Sequence, residues 1–87
     1  MRKTRPCTVV SPDEMNRHLA TVIVAPMTTG GASYPTRIPV RFGGKRGQIA
    51  LDQLRTIDKL RISRRVGRID SATARTTLDR LAEMFAR

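Results

Sequence analysis

Three short segments hold the side chains best suited to chemistry on an anion. Arg5 precedes Pro6, Thr28 and Thr29 follow Pro26 at the end of the most apolar run, and Asp52 and Gln53 follow Leu51 in a similar setting. An arginine presents five donors in a planar fork that fits a phosphate better than an ammonium does, and it is practically never deprotonated. Pro6 fixes its own φ and confines Arg5 to extended conformations, which aims the guanidinium. Threonines at the end of a rigid strand supply hydroxyls at a place where loops commonly carry function. Taken singly, each segment also has an ordinary reading: Arg5 as a surface cation, the threonines as a turn bonded to its own backbone, and Asp52-Gln53 as a turn-capping pair.

Several other chemistries are excluded. The chain has one histidine, His18, in a polar stretch with no evident carboxylate to orient it, so a two-histidine acid–base pair cannot form. Its single cysteine, Cys7, permits no internal disulfide and supplies too few thiolates for a structural zinc site, and it is expected to be buried as an apolar side chain. No glycine-rich loop ends in Lys-Ser or Lys-Thr. What remains is a set of groups that stabilise charge. RNA can cleave itself when a 2′-hydroxyl attacks the adjacent phosphorus, and a protein assists by aligning that attack and neutralising the charge that develops.

Charge points the same way. A formal net charge of +10 on 87 residues draws polyanions and speeds their arrival in a salt-dependent manner, so the expected partner is nucleic acid or an acidic protein. Lys59, Arg61, Arg64, Arg65 and Arg68 cluster in one stretch and Arg2, Lys3 and Arg5 in another, although a merely solvated basic face would look similar. With Tyr34, Phe42 and Phe85 the only aromatics, a broad base-stacking platform is excluded. No apolar run is long enough to span a membrane and no signal-peptide core follows Met1-Arg2-Lys3, so a cytoplasmic location is expected.

The elements that must position these groups are short. Cys7 to Val10 and Thr21 to Ala25 are β-branched runs, the second patterned for burial on both faces, with a polar loop at Ser11 to His18 between them. Thr36 to Arg41 alternates, and Pro39 assigns it to a sheet edge or bulge. Gly43 to Gly47 reads as a turn into a strand at Gln48 to Leu51, with further strands expected around Arg55 to Ile57, Leu60 to Ile62 and Val66 to Arg68. After Asp70 or Ser71 as N-cap, Ala74, Leu78, Leu81, Ala82 and Phe85 line one face of a C-terminal helix over about 71–86. The expected fold is a mainly β single domain over 1–87, a small, partly closed SH3-like antiparallel barrel with strands within about 5–69 and the helix lying across it. A domain this small is marginally stable alone, which favours oligomerisation.

Four segments in order carry a family resemblance over nearly the whole chain. Arg5-Pro6 with Val9-Val10-Ser11-Pro12, then Val24-Ala25-Pro26-Met27-Thr28-Thr29, then Tyr34-Pro35-Thr36-Arg37 with Pro39-Val40, then Asp52-Gln53-Leu54-Arg55-Thr56-Ile57-Asp58-Lys59 resemble the MazF/PemK toxin–antitoxin endoribonucleases. The resemblance implies a barrel of the CcdB/MazF type and metal-independent, sequence-specific cleavage of single-stranded mRNA that inhibits translation. It implies no cofactor, a homodimer, and an acidic antitoxin as partner. It assigns catalysis to Arg5 and Thr28, support of the active site to Asp52 and Gln53, and RNA binding to Thr29, Tyr34 and Arg37.

Family members normally begin with a further strand and a Gly-Ser-Glu loop that end at the position of Thr4-Arg5-Pro6. This chain starts close to Arg5, so the resemblance implies an unpaired strand edge and an exposed part of the core. Two alternatives follow: a same-fold gyrase poison of the CcdB kind, and an inactive toxin-like module that only binds RNA or antitoxin. The Asp52 to Lys59 segment resembles the ribonuclease branch.

Overall fold

The computed structural model describes residues 5–31 and 33–86; Arg2, Lys3 and Thr4 lie outside the described residues. Among the described residues there are five antiparallel strands: β1 (Cys7–Val9), β2 (Thr21–Thr28), β3 (Arg37–Phe42), β4 (Lys45–Ala50) and β5 (Arg55–Asp58). Two helices complete the order, a short α1 (Asp13–His18) between β1 and β2 and α2 (Ser71–Met84) at the C-terminal end.

β2 organises the sheet because it is apolar enough to be buried on alternate faces, with Val22, Val24 and Ala25 all inside. Val24 is matched by Val9 of β1 and by Arg55 of β5, so those strands lie on opposite edges of β2. Further along, Met27 and Thr28 pair with Ile49 and Gln48 of β4. The Met27 amide donates to the Pro6 carbonyl at 3.0 Å on the β1 side, so β4 takes the edge that β5 occupies at the other end. Between these two pairings residues 50–54 of the incoming chain face only residues 25 and 26 of β2. The three surplus residues form a 3-10 turn, Leu51–Gln53, and the sheet folds at this corner into a curled half-barrel.

β3 and β4 form a hairpin with full register from Arg37↔Ala50 to Phe42↔Lys45. Its two-residue turn, Gly43-Gly44, has φ of +56° and +74°, the left-handed values that match a hairpin's twist and that glycine adopts without a steric penalty. Lys45 to Gly47 therefore belong to the strand and not to the turn. β3 is an end strand of the sheet, where Pro39 leaves no central ladder bond unmade. β1 is the other end strand among the described residues, and Val9 is 47% exposed.

The core is the cluster Ala25, Ile38, Ile49 and Leu51, against which Ile69, Leu81 and Met84 pack from the C-terminal segment. α2 begins at Asp70, whose carboxylate accepts from the Thr73 amide at 2.8 Å. Its inward face differs from the apolar stripe expected from sequence. Thr77 is buried at 2% exposure, while Leu78 and Phe85 are 57% and 70% exposed. Thr77 is accommodated because its hydroxyl donates to the Thr73 carbonyl at 2.8 Å, leaving its methyl to the core.

Four local expectations are corrected. The stretch at 13–18 is helical, because Ser11 and Asn16 bond to each other and Ser11 also accepts from the Ile23 amide at 3.1 Å, which pins this turn to β2. Lys59–Arg61 is a 3-10 turn whose start is capped by Asp58 accepting from the Leu60 amide at 2.9 Å. Residues 62–70 have no regular structure. β2 begins only at Thr21, so a strand continued past Asp58 would find no neighbour, and Leu60 and Val66 are 93% and 77% exposed. Cys7 is half-buried and not fully enclosed.

Replacing Ile49 by alanine removes a side chain with no exposed surface from the centre of the core. The expected cost is about 2–5 kcal/mol in denaturant unfolding, and a cost below about 1 kcal/mol would show that the cluster does not hold the sheet.

Candidate functional site

The register of β1, β2 and β4 builds the first part of the site. Cys7↔Pro26 continues through the Pro6 carbonyl bond, which brings Arg5 opposite Thr28, and Thr28 is in turn opposite Gln48. Residues directly opposite in an antiparallel ladder project to the same face. Thr28 and Gln48 thus share the face opposite to Met27 and Ile49, and the β1 register continued past Cys7 adds Arg5 to that row. Neighbouring strands stand about 4.8 Å apart, so the whole row spans about 10 Å.

Thr28 is half-buried and its Oγ1 is covered without a hydrogen-bond partner. A turn stabilised by that hydroxyl is therefore not what the residue forms. Thr8 Oγ1 is in the same condition, but Thr8 pairs with Ala25 and lies on the core face. Arg5 is exposed, and its carbonyl accepts from the Cys7 thiol at 3.8 Å.

The second part of the site is at the corner of the sheet. Arg37 Nε donates to Asp52 Oδ1 at 2.7 Å and Arg37 Nη2 to Oδ2 at 3.1 Å, a bidentate pair. The Thr36 hydroxyl donates to Oδ1 at 3.1 Å, and the guanidinium carbon of Arg37 stands 5.7 Å from the centroid of the Tyr34 ring. Arg37 reaches Asp52 because the Leu51 amide donates to the Thr36 carbonyl at 2.9 Å, fixing the start of β3 beside the corner. The hydrogen bonds from Arg37 hold the Asp52 carboxyl below its ordinary value, and the same contact raises the Arg37 guanidinium further.

Of the residues singled out from sequence, the structure joins Asp52 with Arg37 and, through Arg37, with Tyr34, and the β1 register extended past Cys7 sets Arg5 across from Thr28. The two clusters are separate but share a face: Arg37 pairs with Ala50, two positions along β4 from Gln48. Arg5 and Arg37 are three strands apart in the sheet order and offset by two positions along β4. Gln53 is exposed next to Asp52, and Thr29 is exposed just past the end of β2. His18 is exposed in the last turn of α1. Among the described residues no group of three His, Cys, Asp or Glu side chains is arranged to hold a metal ion.

Sequence reasoning missed two members, Gln48 and Thr36. The signal for Gln48 was a lone polar residue in the run Gly47-Gln48-Ile49-Ala50-Leu51, where strands disfavour it. Gly47 is a third structural requirement. A Cβ there would lie 2.4 Å from the Thr28 carbonyl oxygen and 2.5 Å from the Phe42 ring, so only glycine lets the end of β2 approach β4 this closely.

Two outcomes are expected from this geometry. Gly47→Ala should cost about 1–3 kcal/mol of stability and displace Thr28, read by denaturant unfolding and by shifts in the Thr28 amide resonance; an unmoved resonance would contradict the close packing. Because the folded state depresses Asp52, its pairing stabilises fully above the ordinary carboxylate value of 3.8 and is lost as pH falls through the lower folded value. Unfolding curves of wild type and Asp52→Asn should therefore differ at neutral pH and converge in acid; a constant difference would contradict the ion pair.

Comparison with known proteins follows the same lines. The sequence matches the family described as PemK-like, MazF-like toxin of type II toxin-antitoxin system over residues 1–85. Curated proteins provide no match. The fold superimposes on a crystal structure of an Mtb toxin with TM-score 0.83 and 23% identity, covering 93% of this chain and 92% of that one. The Mycobacterium tuberculosis toxin MazF-mt6 gives TM-score 0.82 and 23% identity, covering 93% and 85%. An endoribonuclease from a mycobacterial species, solved with its cognate antitoxin, gives 0.82 and 26%, covering 91% and 78%. With the family matched over almost its entire length, the chain belongs to the PemK-like, MazF-like toxins of type II toxin–antitoxin systems.

Proposed function

We propose that the chain is a sequence-specific endoribonuclease that cuts single-stranded mRNA without a metal ion and so blocks translation. The observation that carries this reading is the row of Arg5, Thr28 and Gln48, which sets a guanidinium and a hydroxyl on one face about two strand spacings wide. The 2′-oxygen of one nucleotide bonds to the neighbouring phosphorus while the bond to the 5′-oxygen breaks. The proton lost by the 2′-hydroxyl is balanced by one gained at the 5′-oxygen. The products are a 2′,3′-cyclic phosphate and a 5′-hydroxyl.

Arg5 stabilises the charge on the phosphoryl oxygens and supplies the hydrogen bond that eases departure of the 5′-oxygen. Thr28 supplies a second hydrogen bond to the phosphoryl group. A rotation about its χ1 brings the hydroxyl out of its unpaired position, a change between ordinary rotamers. Asp52 holds Arg37 against Tyr34, where guanidinium and ring bind the RNA, with Thr29 and Gln53 contributing at the ends of β2 and of the corner.

The partners follow from charge and exposed surface. An acidic antitoxin neutralises the basic face, as the cognate antitoxin in the mycobacterial complex suggests by analogy. A second copy covers the apolar side chains left outside, Leu78 and Phe85 on α2 and Leu60 beyond β5. No helix among the described residues is long and apolar enough to cross a membrane, and we assign the protein to the cytoplasm.

Incubation with a long single-stranded RNA in EDTA, with new ends mapped by primer extension, tests the activity. Discrete cuts bearing 5′-hydroxyl ends are expected. Arg5→Ala and Thr28→Ala should each abolish them while leaving the dimer intact by sedimentation. Intact RNA with the wild-type chain would support the binding-only alternative, and wild-type rates in both variants would refute the assignment of roles.

A further inference from the structure

The β3–β4 hairpin contains a charge conflict that its own packing does not resolve. Arg41 of β3 is directly opposite Arg46 of β4, and Lys45 is adjacent. Like charges facing each other across a ladder destabilise it. No acidic residue occurs between Arg37 and Ala50 in the sequence, and the ion pairs among the described residues are Arg37–Asp52 and Arg80–Glu83. Arg41 and Arg46 are both exposed and have no carboxylate partner among the described residues. A local rule broken in this way, without a compensating contact, is characteristic of a ligand site.

The location of the pair identifies the ligand. Arg46 is two positions from Gln48 on β4 and Arg41 two positions from Pro39 on β3, so both project to the face that carries Thr28 and Gln48. The step along β4 is about 7 Å. Arg41, Arg46, Gln48 and Pro39, together with Val40, Gly47 and Thr73 of α2, line one open cavity of about 440 Å³. On the opposite side of the Gln48 row is Arg37, already neutralised by Asp52. Within the hairpin, the uncompensated charge therefore lies on one side of the Gln48 position.

We propose that Arg41 and Arg46 form a clamp for backbone phosphates of single-stranded RNA adjacent to the bond held at Arg5 and Thr28. Two guanidinium forks side by side suit phosphate oxygens and relieve their mutual repulsion once an anion lies between them. The inference rests on the proposed function only for RNA as the ligand. The clamp reads no base, so it sets affinity and register and leaves sequence choice to the rest of the face.

Binding of a fluorescent, fully 2′-O-methylated RNA oligonucleotide tests the clamp apart from cleavage, because that probe has no attacking hydroxyl. Anisotropy titrations across a range of KCl concentrations should give a log K against log[salt] slope shallower by about 1.4 in the Arg41→Ala/Arg46→Ala variant, two phosphates at about 0.7 each. Arg17→Ala/Arg75→Ala, which removes the same charge from α1 and α2, should leave the slope near wild type. Arg41→Lys/Arg46→Lys should retain most of it. The melting temperature of the double alanine variant should be unchanged or higher, since a repulsion is removed. An unchanged slope, an equal drop in the Arg17/Arg75 control, or absence of probe binding by the wild-type chain would each overturn the clamp. Retained RNA binding with lost binding of a polyglutamate peptide would also overturn it, and would assign the hairpin to an acidic protein. Failure of cleavage in EDTA leaves these readings intact and bears on the proposed activity alone.

Discussion

The sheet depends on one constraint: β4 and β5 share the same edge of β2, and three surplus residues must be stored where one gives way to the other. Stored as a 3-10 turn, they bend the chain, and the bend drives Leu51 inward to 1% exposure and leaves Asp52 outside. Without the corner the two strands would run on as one, flat and in register, and alternation would set Leu51 and Asp52 on faces fixed by pleat alone. The bend allows Arg37, at the start of a different strand, to meet Asp52 with both guanidinium edges. Packing and electrostatics thus arise from the same local insertion.

Charge is distributed asymmetrically around that corner. The ion pair consumes Arg37 and Asp52, and the Thr36 hydroxyl fills a further lone pair on the carboxylate. The rest of the face, from Arg5 across Thr28 and Gln48 to the hairpin, carries cations and neutral donors and no acid within the hairpin. A face of one sign binds anions by their charge first and by geometry second, and loses that attraction as salt rises. This is consistent with a protein that works on a polyanion without histidine.

How far the sequence revealed all this depends on which interaction decided each element. The α2 start was legible because Asp70 bonds a backbone amide three residues away, a local matter. Pro39 placed β3 at an edge because a missing donor is a property of one residue. By contrast α1 was read as a loop, since its stability comes from Ser11 contacting Ile23 of β2, twelve residues distant. The helix face was read from apolarity and turned out rotated, because Thr77 is buried once its hydroxyl bonds back to Thr73. Strands expected at 60–62 and 66–68 had the right composition but lie past the start of β2, where it offers no neighbour. The candidate site divides in the same way: Arg5 and Thr28 were proposed from local signals, a proline and a strand end, whereas Gln48 became a candidate only when register set it opposite Thr28.

Thr28 shows why an energetic cost can be informative. A covered hydroxyl without a partner costs about 1–3 kcal/mol relative to a satisfied one. Valine would fill the same volume without that cost and suits a strand at least as well. At Thr8 the hydroxyl lies on the core face, where no solute can reach it. At Thr28 it lies where Gly47 lets two strand backbones crowd together, on the face opposite Met27 and Ile49. A penalty of this size in the free protein is recovered when a ligand supplies the missing acceptor. Under the proposed function an anion drawn to Arg5 supplies that acceptor, so the unpaired hydroxyl of Thr28 and the charge on Arg5 serve one occupant.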